Sequence, residues 1–275
     1  MSYVSRMCVS LLVLSGLSQA VAQGYRVEGQ VYRVERSPAN GRNVDTRLFS
    51  SVTLFHKGRV YDYVESAEEV IIFEPTGRRF TILNTARELV TSADFDEIRH
   101  LMASRRRESE RYLQELRRSN RRDADDVARS LEFQLAPSFD TKFNSSGGLL
   151  TLSSPSWTYR VQTHSWEDED QVREYLNYAD WISQLNSVLD PMNLIPEPRL
   201  LLNQQLRKLK RLPTSVTLDL NFERSRILRA NHKFIDGLTS DDRHLIQVWD
   251  TAAKGDSVNR LSLRRYQEAV LVSLR

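Results

Sequence analysis

Apolar and polar residues alternate along residues 25–90, as strands with one covered face require. "YRVEGQVYRVE" alternates from Tyr25 with a change of phase near Gly29, which marks a bulge. "RLFSSVTLF" and "RVYDYV" follow, and the Lys57–Gly58 pair between them predicts a hairpin over "LFHKGRVYDY". "EVIIF" is a continuous apolar run and predicts a strand covered on both faces. "RRFTIL" comes after the turn at Pro75–Gly77, and "RELV" adds a short last strand. Turns this closely spaced favour antiparallel hairpins over crossover connections.

The period changes after Thr91. Phe95, Ile98 and Leu101, then Leu113 and Leu116, then Ala124, Val127 and Leu131 keep helical spacing, with charges between them. This predicts one long charged helix over about 92–131, or two broken near Ser119–Asn120, with Thr91 and Asp94 as a capping box. Strand signals resume in "EFQL", "SFDTKF", "GLLTLS" and "WTYRVQT". A second helical block places Val172, Tyr175, Leu176, Ala179, Ile182, Leu185 and Leu189 on one face and stops at Pro191. Tyr178 and Trp181 turn away from that face, toward a second layer or an apolar pocket. "EPRLLLNQQLRKLKRL" predicts a helix that begins at Pro198 and ends at Pro213. Its leucines oppose a basic face, which suits a cover for the sheet, a lid or a membrane-surface helix. "SVTLDLNF" and "SRILRANHKFIDGL" return to strand, Thr239 to about Lys254 is a helix, and residues 261–275 fit either state. The expected fold is α+β: a curved antiparallel sheet, an incomplete barrel, covered by helices in a single domain over residues 23–275. A division near residue 135 is the alternative, but no linker composition marks it.

The N-terminus changes this picture. Arg6, the apolar run Met7–Leu17 and the small residues Ala20 and Ala22 before Gln23 predict a cleaved signal peptide over residues 1–22. The expected location is periplasmic or secreted. The run is shorter than the roughly 20 residues of a membrane span, so no transmembrane segment is expected after cleavage. Cys8 is the sole cysteine, so cleavage leaves no disulfide, thiolate chemistry or cysteine metal site.

Hydrophobic content of 40% and charged content of 27% fit a globular chain, and a net charge of +3 selects no partner. None of the five histidines is paired at metal-ligand spacing. The chain carries no serine elbow, Walker loop or dinucleotide glycine pattern, so no catalytic residue, metal or cofactor is assigned. The acidic run Glu167–Asp170 suits a helix N-terminus better than a calcium loop.

Charge distribution says more than its sum. Nine arginines lie between Arg99 and Arg122, opposed by Glu108, Glu110 and Glu115. Arg105, Arg106, Arg107, Arg111, Arg117 and Arg118 are candidates for contact with an anionic surface. For an exported protein that surface is an acidic component of the envelope rather than nucleic acid. The bland alternative is a solvated helix laced by Glu–Arg pairs. Asp62 shares strand parity with Val60 and Val64. Either that side is solvated there, or the carboxyl is buried and needs a partner such as an arginine.

The passages "VTLFHKGRVYDYV", "EEVIIFEPTGRRFTIL" and "NYADWISQLNSVLDP" with "PEPRLLLNQQL" resemble a family of secreted proteins of planctomycete-type bacteria, which brings no activity with it. The order of elements is similar to that of LolA-like periplasmic lipoprotein carriers. That likeness implies an incomplete barrel closed by helices over an apolar cavity that shields acyl chains of a lipid or lipoprotein. The arginine-rich helix departs from that pattern, and no functional residue is carried over. The expected function is an exported non-enzymatic binding protein with an apolar or amphiphilic ligand between sheet and helices. Val52, Leu54, Phe80 and Ile82 would line the sheet side, and Trp181 and Leu202 the helix side. The alternatives are an envelope module docking through the arginine-rich helix and, third, an enzyme.

Overall fold

The structure, a computed structural model, describes residues 24–36, 43–190, 193–221 and 226–271. The expected signal peptide with Cys8, and the expected helix stop at Pro191, lie outside the described residues. Six strands open the fold: β1 (Tyr25–Arg36), β2 (Asn43–His56), β3 (Arg59–Val64), β4 (Glu69–Glu74), β5 (Arg79–Asn84) and β6 (Leu89–Asp94). Helices α1 (Phe95–Arg118) and α2 (Ala124–Leu135) follow, then β7 (Asp140–Asn144), β8 (Leu149–Ser153) and β9 (Trp157–Ser165). Helices α3 (Glu169–Leu189) and α4 (Glu197–Leu209) precede β10 (Arg211–Leu220) and β11 (Arg226–Asp236). The described chain closes with α5 (Ser240–Lys254), β12 (Asn259–Arg260) and α6 (Leu263–Leu271).

All these strands form one curved, open sheet in the order β12-β6-β5-β4-β3-β2-β1-β11-β10-β9-β8-β7. Every pair is antiparallel except β12, which runs parallel to β6. Two meanders therefore meet at β1, which bonds β2 on one side and β11 on the other. The sheet crosses residue 135 without interruption. The Lys57–Gly58 turn has φ of 51° and 71° at its two residues, the left-handed pair that matches the twist of a two-residue hairpin. It sets Thr53 opposite Asp62 and Phe55 opposite Val60.

The sheet carries a core on each face. On one, Phe55, Val60, Phe73, Phe80 and Ile82 join Trp157, Val161 and Val216 beneath Leu176, Leu185, Leu202 and Leu206 of α3 and α4. On the other, Leu54, Tyr61, Val70, Ile72, Leu83 and Val90 pack under Ile246 and Trp249 of α5. Four successive residues of β4, Val70 to Phe73, are buried because both layers cover them. Strand β9 has only its α3/α4 side covered and alternates from Trp157 onward.

Several local expectations are corrected. Of the two forms expected for the charged segment, the single helix is wrong and the pair is found, broken between Ser119 and Asp123. Residues 91–94 finish strand β6, so α1 starts at Phe95, and Asp94 alone caps it by accepting from Glu97 N at 2.7 Å. "EFQL" is the last turn of α2, where Leu135 extends the buried face begun by Ala124 and Ala128. Helix α4 ends at Leu209 because Lys210 takes a left-handed conformation with φ of 55°. Pro213 instead lies in β10, at the register shift between Pro213 and Ser215. The irregularity of β1 falls at Val31/Tyr32 rather than at Gly29. Gly29 has another role: a Cβ there would come within 2.6 Å of Ser51 Oγ on the neighbouring strand. The acidic run behaves as expected, with Asp168 capping α3 through Asp170 N and Gln171 N.

Candidate functional site

Between the sheet and the α3/α4 layer lies a cleft of two lobes. One, of about 300 Å³, is bounded by Val27, Gly29, Thr53, Asp62 and His232 on the sheet and by Tyr175, Tyr178 and Ile182 of α3. The other, of about 410 Å³, is walled by Trp157, Tyr159, Leu218, Leu220 and Leu228 and by Leu194–Pro196 ahead of α4. Val31, Ser183, Asn186, Arg199 and Ala230 border both. Each lobe alone has the size of a small-molecule site.

Register explains why the layers do not close here. Gly29 pairs with Ser51 on one side and His232 on the other, and Val31 pairs with Ala230. Small residues thus meet on the face turned to α3. The opposing stripe of α3, at positions 175, 178, 179, 182, 183 and 186, is itself small at Ala179 and Ser183.

The polar groups of the first lobe are held by specific bonds. Asp62 accepts from Thr53 Oγ1 at 2.8 Å and from the Tyr178 hydroxyl at 2.7 Å. Its carboxyl is therefore buried with hydroxyl partners in place of the expected guanidinium. Burial raises its pKa, and the two hydroxyls oppose that rise. Tyr178 is pushed well above the ordinary phenol value by burial and by the Asp62 charge. His232 lies edge-on to Tyr175 with ring centroids 6.4 Å apart, and its buried Nδ1 has no partner. Burial, reinforced by the Arg199 charge, lowers its pKa to about 3, so the ring is neutral at physiological pH.

Arg199 stands where the lobes meet, half-buried on the first turn of α4. Its Nε donates to Asn203 Oδ1 at 3.1 Å, and it bonds the Tyr175 hydroxyl. Asn203 passes on to Asp180, which Arg207 already neutralises at 2.6 Å. Among the described residues no carboxylate forms an ion pair with Arg199. Arg229, also on the rim of the second lobe, is paired with Asp45.

No known protein family matches this chain, and no curated protein does either. The chemistry of the cleft therefore carries the functional conclusion. It holds His232, hydroxyls and one cation without an ion pair among the described residues, beside an aromatic and aliphatic wall. Among the described residues no serine or threonine hydroxyl bonds His232, and no cluster of three or more His, Cys, Asp or Glu is placed to hold a metal.

The six residues expected to line a ligand site lie elsewhere. Phe80, Ile82 and Leu202 are sealed in the core on the α3/α4 side. Trp181 stacks on Phe95 at 3.7 Å with Arg99 over its other environment at 5.2 Å. Leu54 and Val52 belong to the α5 side. The ladder shows why: Thr53 faces Asp62, Asp62 faces Ile71 and Ile71 faces Ile82, so Thr53 rather than Leu54 shares the face of Ile82. A parity offset of one residue put half of the expected wall on the wrong side.

The arginine-rich segment also divides. Arg105 bonds the carbonyls of Ser187 and Asn193 and the Ser187 hydroxyl, tying α1 to the α3–α4 connection. Arg106 reaches Glu110 at 3.1 Å, Glu197 at 3.3 Å and the Leu135 carbonyl at 3.2 Å. Arg117 pairs with Glu132 across to α2. These three bond across to other elements of the protein, Arg106 and Arg117 while still exposed, and Arg107, Arg111 and Arg118 face solvent too. Opposite the cleft, a depression of about 420 Å³ is crossed by Arg59, Glu74, Arg79 and Asp250. Arg59 pairs there with Asp250 at 2.9 Å and Glu74 at 3.3 Å, and Arg79 with Glu74 at 2.7 Å. That network answers its own charges. Among the described residues no helix is long and apolar enough to cross a membrane.

Asp62 yields a test of the site's electrostatics. Its raised folded-state pKa makes its contribution to stability complete below the ordinary carboxyl range and lost as pH rises through the folded value. Asp62→Asn keeps an acceptor for a hydroxyl but cannot ionise. It is expected to flatten the decline of stability as pH rises above the ordinary carboxyl range, relative to the parent chain. Glu69, raised chiefly by burial, keeps that cause in both proteins and loses only the smaller rise due to the Asp62 charge, which acts in the same direction. Equal pH slopes in denaturant titrations would contradict the assignment.

Proposed function

We propose that this protein is an exported, non-enzymatic binding protein whose two-lobed cleft holds an amphiphilic ligand. One observation carries the proposal: the lobe walled by Trp157, Leu218 and Leu220 adjoins one where Asp62, His232 and Tyr178 stand among apolar side chains such as Val27 and Ile182. A wholly apolar guest would leave His232 and Arg199 unanswered, and a wholly polar one would waste the aromatic wall. Export rests on the N-terminal pattern of Arg6, Met7–Leu17 and the small residues before Gln23.

The direct test is native mass spectrometry of the full chain extracted without strong detergent. A ligand-sized mass increment that disappears after washing with organic solvent is expected. A chain that emerges at its bare mass, and that takes up no fluorescent fatty probe when offered one, overturns the proposal.

A further inference from the structure

The cleft contains one cation, Arg199, that no carboxylate among the described residues pairs with. The acids near Arg199 are committed: Asp180 to Arg207 and Asn203, and Asp62 to Thr53 and Tyr178. Arg229, the other cation on the rim, has Asp45. The neighbours of Arg199 are neutral, namely Tyr175, Asn203, Ser183, Asn186 and His232. A half-buried guanidinium without a counter-charge is costly to keep out of water, and an arriving anion would remove that cost. Its planar fork also suits carboxylate and phosphate oxygens.

We propose that the ligand is an anionic amphiphile, its acidic head held by Arg199 and its apolar tail against Trp157, Leu218 and Leu220. This rests on the amphiphile-binding function above and specifies the head group. Two neighbours serve the same end. Asn186 and Ser183 border both lobes, as Arg199 does, and add polar side chains to the same junction. Asn203 fixes the Arg199 Nε at 3.1 Å, which leaves its terminal nitrogens for a ligand and the Tyr175 hydroxyl.

The test compares four probes of equal chain length below their micellar concentrations: dodecanoate, dodecyl phosphate, the neutral monoglyceride of dodecanoate, and dodecyltrimethylammonium. Affinities are measured by calorimetry on the full chain. The parent protein is expected to bind one or both anions at least about tenfold more tightly than the neutral probe, and the cation most weakly. Which anion leads distinguishes a fatty carboxylate from a phosphate-headed lipid. Arg199→Gln should erase the preference for the anions over the neutral probe, and Arg199→Lys should restore part of it. Equal affinity of the parent for anionic and neutral probes overturns the head-group assignment and leaves amphiphile binding standing. Binding of none of the four overturns both. The parent's ranking of probes decides the matter even where a variant fails to fold.

Discussion

Replacing Phe80 with alanine is expected to remove about 3–5 kcal/mol of stability. Phe80 is 0% exposed and sits at the centre of an aromatic group, 5.0 Å from the Phe73 ring and 6.0 Å from Phe95. Those three rings fasten β4 and β5 to the first turn of α1, so the space left by truncation is walled by elements that cannot easily move inward. A domain with a total stability of about 5–15 kcal/mol would then stand close to its unfolding threshold. The measurement is the denaturant midpoint at constant slope. The folded fraction should still bind the same ligands with the same ranking, because Phe80 does not border the cleft. A loss below about 1 kcal/mol, or a changed ranking, would contradict a purely structural role.

Ala230→Trp should have the opposite signature. Ala230 borders both lobes, between Val31 of β1 and Val216 of β10 in the ladder. An indole there fills empty space rather than displacing a packed side chain. Stability is expected to stay within about 1 kcal/mol of the parent, while ligand affinity falls by about tenfold or more. Unchanged affinity would place the ligand outside the cleft. Together with Phe80→Ala, this variant separates the wall of the site from the scaffold behind it.

Most of the architecture is legible in the sequence because it follows from periodicity. The alternation at Trp157, the unbroken "EVIIF" and the Lys57–Gly58 hairpin each correspond to a strand with the expected cover. Boundaries are less legible where two patterns overlap. "EFQL" alternates briefly, yet its Leu135 belongs to a helical face that began at Ala124. The site was the hardest to read. Large apolar residues such as Phe80 and Leu202 draw attention in a sequence, but they fill the core. The cleft arises from small residues, Gly29, Ser51, Ala179 and Ala230, which become neighbours only through pairing across some 200 positions of chain. Asp62 is the exception, since a carboxyl on the valine side of a strand either marks that side as solvated or needs a buried partner, and both alternatives are legible from sequence. The arginines behaved similarly: exposure cannot be read from a charge run, and Arg105 turned out to bond carbonyls at the end of α3.

The position of β1 has a consequence for how binding and folding are connected. Gly29 and Val31 form cleft floor at the seam where an early strand of the chain zips to β11, a late one. A guest resting there spans both meanders and touches each. Occupancy would therefore hold the seam shut, with a stabilisation that grows with ligand concentration. If the cleft binds as proposed, release of the guest and loosening of the two halves would be two faces of one event.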